Sequence, residues 1–171
     1  EDAQAKAIAL AHALYGYARD GGDAALRVTI GRWACAPDSI NTIADRVCFT
    51  VDVRHPDAQA VAAFDKFLQA HLQPGTTVER LQDKPTTPFA PELVALVAAA
   101  ASQRGIAAMD MVSGAFHDAM PMAGFAPTAM LFAPSIRGIS HHPEENTQAA
   151  DLAACTQVLA DCLLSLAVPE A

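Results

Sequence analysis

The chain has 171 residues, of which 52% are hydrophobic, enough for one sizeable core or two small ones. Nineteen acidic residues against eleven basic ones give a formal net charge of −8, which argues against nucleic acid and anionic membrane as partners. No apolar run approaches the length of a transmembrane helix, no basic n-region opens a signal peptide, and the four cysteines form no C-x-x-C pair, so reduced thiols in a cytosolic protein are expected rather than a zinc knuckle.

Ala7, Leu10, Ala11, Leu14, Tyr17 and Ala18 repeat at helical spacing and predict a helix over 3–20, ended by Gly21 and Gly22. No cap is read before its first turn, and the chain lacks an initiator Met, so we expect a chain cut from something longer. Leu26, Val28 and Ile30 alternate with Arg27 and Thr29 and predict a strand, followed by a turn at Pro37, Asp38 and Ser39. Residues 46–54, RVCFTVDVR, give the cleanest strand pattern: Val47, Phe49, Val51 and Val53 point one way, and Arg46, Cys48, Thr50, Asp52 and Arg54 the other. Pro56 suits the first turn of a helix whose buried stripe is Val61, Phe64, Leu68 and Leu72. After Pro74 and Gly75, TTVERL (76–81) reads as another strand. Residues 1–84 therefore form a small α+β layer, and a break near 85–90 marks a candidate domain boundary.

The second part, 89–171, opens with a helix at about 91–104, with Pro91 in its first turn and Gly105 at its end. TAMLFAP (128–134) reads as a strand buried on both faces. A helix at about 147–167 is expected to bury Leu152, Cys155, Leu159, Cys162, Leu163 and Leu166, with Asn146 or Thr147 as its cap. Five methionines between 109 and 130 read as packing filler.

Three segments carry candidate chemistry. RGISHHPEEN (137–146) follows the expected buried strand and precedes the last helix, where open α/β sheets bind ligands. One of His141 and His142 can ligate a metal, with Glu144 or Glu145 orienting it; the alternative is a polar helix-entry loop. In SGAFHDAMP (113–121), Ser113, His117 and Asp118 offer triad residue types without the nucleophile elbow, or an ordinary surface loop. Arg54 either pairs with Asp52 on the polar strand face or holds a substrate carboxylate in its guanidinium fork, with the Asn41 amide beside it.

Taken together, INTIADRVCFTVDVRHPD (40–57), SGAFHDA (113–119) and MLFAPSIRGISHHPEEN (130–146) resemble, in order and spacing, the amidase/hydantoinase/carbamoylase family of metal-dependent amidohydrolases. The resemblance covers nearly the whole chain. It implies an α/β fold: an α+β lid and dimerisation domain over 1–84, with a small antiparallel sheet and two helices, then the C-terminal part of a di-metal aminopeptidase-like catalytic domain over 89–171. It implies that Asn41 and Arg54 hold the carboxylate of a small-molecule substrate, that His141 ligates metal, and that His117 lies near the substrate as a catalytic residue. The implied reaction is hydrolysis of linear C–N bonds in N-carbamoyl amino acids or ureido acids such as allantoate, by a cytoplasmic homodimer using two divalent metal ions (Mn2+, Zn2+, Co2+ or Ni2+).

The chain departs from that pattern. Phe116 stands where the family usually has Gly, and INTIAD replaces PNVIPG while keeping Asn41. The other metal ligands and the general-base Glu find no counterpart in 1–171, so the isolated chain is expected to be inactive. The rival readings are an aminoacylase or dipeptidase of the same clan, and a non-catalytic dimerisation fragment.

Overall fold

The computed structural model describes residues 1–167 and divides at 86/87 into two compact units. In the first, helix α1 (Ala3–Asp20) is capped by the Asp2 carboxylate, which accepts the Ala5 amide at 3.0 Å. The expectation of an uncapped start is thus corrected. Strand β1 (Arg27–Ala36) pairs antiparallel with β2 (Arg46–Arg54) in a two-stranded sheet. β1 runs five residues past the LRVTIG pattern, because a register irregularity between Ile30 and Trp33 breaks its alternation while pairing continues. The amides stranded there find side-chain acceptors: Ile30 N–H donates to the Tyr15 hydroxyl at 3.0 Å, and Arg32 N–H to Thr50 Oγ1 at 2.9 Å.

Helix α2 (Ala58–Ala70) starts later than Pro56 suggested, because Asp57 caps it by accepting the Gln59 amide at 2.8 Å. Leu10, Leu14, Leu26 and Phe64 form the buried centre, with Val28, Phe49, Val51, Val53 and Leu68 packed around them. One face of the hairpin is thereby fixed against α1 and α2, as the alternation in 46–54 requires. The strand expected at 76–81 does not form, and Val78 and Leu81 are exposed. No third strand pairs with this sheet among the described residues, so nothing supplies the hydrogen bonds that would hold 76–81 extended.

The second unit has helices α3 (Pro91–Gln103), α4 (Ala119–Met122) and α5 (Ala149–Ala167), with a 3-10 turn at Ile136–Gly138. α3 ends as Pro91 and Gly105 predict: Gly105 has φ +68°, and Ile106 N–H returns to the Ala101 carbonyl at 2.9 Å. TAMLFAP is not a strand, and Leu131 and Phe132 are exposed, again without a neighbouring strand among the described residues.

α5 also corrects its expected stripe. Val158 and Cys162 pack on Ala100 and Ala101 of α3, whereas Leu152, Leu159, Leu163 and Leu166 are more than half exposed. α5 is apolar on several sides, so periodicity could not choose which side meets the alanines of α3. Neither Asn146 nor Thr147 caps α5: the helix begins at Ala149, and Asn146 Oδ1 accepts the Thr147 amide instead. By length and composition α5 could cross a membrane, which corrects the statement that no run approaches that length, although a core helix passes the same test. Of the five methionines, Met109, Met111 and Met122 are exposed and fill no core, whereas Met120 and Met130 are half-buried.

Arg104 joins the two helices: Nη2 meets Asp161 Oδ1 at 2.8 Å, and Nη1 donates to Gln157 Oε1 at 3.0 Å. The hydrogen bond from Arg104 holds the Asp161 carboxyl below the usual carboxylate range. A group with a lowered folded value stabilises above its unfolded value, about pH 4, and loses that contribution as pH falls through the folded one. Asp161→Asn should therefore melt lower at pH 7 and lose less on acidification than the parent, followed by circular dichroism against pH. Phe64→Ala should cost about 3–5 kcal/mol in urea denaturation, whereas Leu159→Ala on the exposed side should stay within about 0.5 kcal/mol.

Candidate functional site

The packed face of the hairpin forces Asp52 and Arg54 together onto the other face. Arg54 Nε meets Asp52 Oδ1 at 2.6 Å, and Nη2 meets Oδ2 at 3.1 Å, so the fork already grips a carboxylate in two places. Both side chains are about half exposed. Asn41 does not lie beside Arg54, contrary to the expectation from their spacing. It sits in the loop after β1, at the end where Ala36 pairs with Arg46, whereas Arg54 pairs with Arg27 at the other end. Eight strand steps, roughly 27 Å, separate Arg54 from the start of β2. The Asn41 amide oxygen accepts from Ser39 Oγ at 3.1 Å.

Next to Arg54, sequence reading missed His55. Its side chain is only 10% exposed. Nδ1 accepts the Asp57 amide at 2.8 Å, Nε2 lies 3.0 Å from Asp23 Oδ2, and the Thr86 hydroxyl donates to its carbonyl at 3.0 Å. The adjacency in "RHPD" was the available signal, but Asp23 lies 32 residues away and could not be foreseen.

In the second unit, Ser113 Oγ and His117 Nε2 are 2.6 Å apart, and Ser113 Oγ also accepts the Ala115 amide at 3.2 Å. The His117 ring meets the Phe132 edge with centroids 5.5 Å apart. Asp118 does not complete a triad: it is exposed and stands at the start of α4 with no capping bond. Phe132 was hidden from sequence reading because it was assigned to a buried strand.

The loop 135–146 is tied internally. Ile136 N–H donates to the Asn146 carbonyl at 2.8 Å, Ser135 Oγ donates to the Ile139 carbonyl, and Arg137 meets Glu144 at 3.1 Å. His141 has φ +55°, unusual for a side-chain-bearing residue, and its amide donates to Glu145 Oε2 at 2.7 Å. The two glutamates thus serve the backbone and Arg137 rather than an imidazole. His142 Nδ1 accepts the Glu144 amide at 3.2 Å, while the His141 ring is exposed and enters none of these bonds.

No group of three or more His, Cys, Asp or Glu side chains that could hold a metal ion occurs among the described residues. A catalytic zinc takes about three protein ligands, so these residues alone do not fit a metal centre, and His141 offers at most one ligand.

The model of peptidase family M20/M25/M40 matches residues 4–165. The chain belongs to this family. Among curated relatives, it is 34% identical over 149 residues to an allantoate amidohydrolase of Escherichia coli, covering 83% of this chain and 36% of that protein. It is 33% identical over 145 residues to an N-carbamoyl-L-amino-acid amidohydrolase of Rhizobium meliloti, covering 81% and 35%. A solved hydantoinase/carbamoylase family amidase from Burkholderia vietnamiensis superposes with a TM-score of 0.85 at 35% identity, covering 98% of this chain and 42% of that one. The chain spans a little over a third of the length of these curated relatives, and its mixed α/β fold is shared with the solved hydantoinase/carbamoylase family amidase.

The Glu145 bond to the His141 amide gives a direct check on the loop. Glu145→Ala should raise the exchange rate of that amide about tenfold, the loss expected for one charge-assisted hydrogen bond. Hydrogen-exchange NMR on the full chain measures it.

Proposed function

We propose that these residues serve a cytoplasmic metal-dependent amidohydrolase that cleaves linear C–N bonds in N-carbamoyl amino acids or ureido acids such as allantoate. The observation that carries this reading is the guanidinium fork of Arg54, which grips a carboxylate in the bidentate geometry a carboxylate-bearing substrate needs. The names of the relatives supply the substrate class. Asp52 holds the place that substrate would take. His117 steadies the developing oxyanion. His141 contributes one ligand to a two-metal centre of Mn2+, Zn2+, Co2+ or Ni2+, whose remaining ligands and general base lie outside residues 1–171. Residues 1–84 act as the lid.

The lid is also the dimer contact in this proposal, for a geometric reason. Asn41 and Arg54 stand at opposite ends of one hairpin, so a single copy cannot close both on one carboxylate. Two copies related by a twofold axis can, each placing its Asn41 against the Arg54 site of the other.

Three measurements test these assignments. The isolated chain of 171 residues, assayed with N-carbamoyl amino acids and added Mn2+, Co2+ or Zn2+, should show weak metal binding and no turnover; chelator-sensitive activity would overturn the ligand assignment. In the full-length enzyme, Arg54→Lys keeps the charge and loses the fork, and should lower kcat/KM roughly ten- to a hundred-fold with little change in melting temperature. Asn41→Ala and Arg54→Ala should each be inactive alone, yet on subunit mixing regain about a quarter of parental activity, because half the dimers are mixed and each mixed dimer has one intact site. No recovery on mixing would mean that both residues serve the same copy.

A further inference from the structure

We propose that Ser113 is a positioning residue for His117, fixing its imidazole in the tautomer that carries the proton on Nδ1. A serine hydroxyl has one proton to give and two lone pairs. One lone pair of Ser113 takes the Ala115 amide at 3.2 Å. The contact to His117 Nε2 measures 2.6 Å, hydrogen-bond distance. The hydroxyl still has its proton to place, and Nε2 is the atom set against it; with the hydroxyl donating and Nε2 accepting, the ring proton stays on Nδ1. Phe132 packs against the ring in a T-shaped pair, and its own carbonyl is held by Cys155 Sγ at 3.7 Å.

The consequence for chemistry rests on the function proposed above. With Nε2 engaged, His117 reaches substrate as a neutral donor through Nδ1–H. That suits stabilising an oxyanion and leaves the Nε2 lone pair occupied by Ser113 rather than open to a substrate proton. The same hydrogen bond would also activate Ser113 as a nucleophile, so the test separates the two roles.

Full chain labelled with 15N-histidine is observed by long-range 1H–15N correlation at pH 8, and His117 is identified by the signal missing in His117→Gln. The expected result is an unprotonated Nε2 and a protonated Nδ1. Ser113→Ala should return His117 to a mixture of tautomers, and Ser113→Thr should keep the parental pattern. A protonated Nε2 in the parent, or no change in Ser113→Ala, overturns the proposal whatever the enzyme does. In the full-length enzyme, Ser113→Ala should lower kcat up to about tenfold, the loss from misplacing one neutral hydrogen bond, with KM nearly unchanged and recovery in Ser113→Thr. If the tautomer responds as expected and kcat does not, the oxyanion role of His117 fails while the positioning stands. Covalent labelling of Ser113 by a fluorophosphonate would identify a nucleophile and overturn the positioning role.

Discussion

Burial of one face of the β1–β2 hairpin against Leu14 and Phe64 decides where the chemistry of the first unit points. Phe64 is 1% exposed and Leu14 fully buried. Because side chains alternate along a strand, seating Phe49, Val51 and Val53 on those two residues turns Asp52 and Arg54 outward together. A slip of one residue would send the guanidinium into the core, where an unpaired charge is not tolerated. The ion pair is thus a consequence of apolar packing, and the hairpin's length separates Arg54 from the loop that carries Asn41.

What the sequence made legible follows the same logic. RVCFTVDVR could be read because one face is buried and period two has no competitor. α1 and α3 were legible from spacing and terminal residues. The failures have one physical origin: elements whose shape depends on a neighbour. Residues 76–81 and 128–134 have strand composition, but composition does not supply the partner whose amides and carbonyls would hold them. The face of α5 was misjudged for a related reason, since leucines on the far side offer as much apolar area as Val158 and Cys162. In the site, the residue types were legible and their partners were not. Glu145 proved to bind a backbone amide, and Asp52 proved to fill the fork of Arg54.

The 135–146 loop shows how local strain is held. Arg137, Gly138 and His141 all have positive φ, at 60°, 68° and 55°. Glycine takes this conformation freely, while the other two cost on the order of 1 kcal/mol each. The bonds from Ile136 to Asn146, Arg137 to Glu144 and His141 to Glu145 offset that cost. They use backbone groups and the glutamates, and so leave the His141 imidazole outside the loop's own network.

Asp52 bears on how Arg54 would select substrate. A half-exposed pair contributes about 0–1 kcal/mol, so an incoming carboxylate displaces Asp52 at small cost. The exchange replaces one bidentate carboxylate with another, and its net affinity is correspondingly small. In the proposed reaction a substrate would gain orientation: two parallel hydrogen bonds would fix the plane of its carboxylate. An uncharged analogue would meet the same guanidinium without the opposite charge and without two equivalent acceptors in the fork, and would gain less from it. On the proposed function, discrimination at this end of the hairpin would come from the charge and the second hydrogen bond that an uncharged ligand cannot supply.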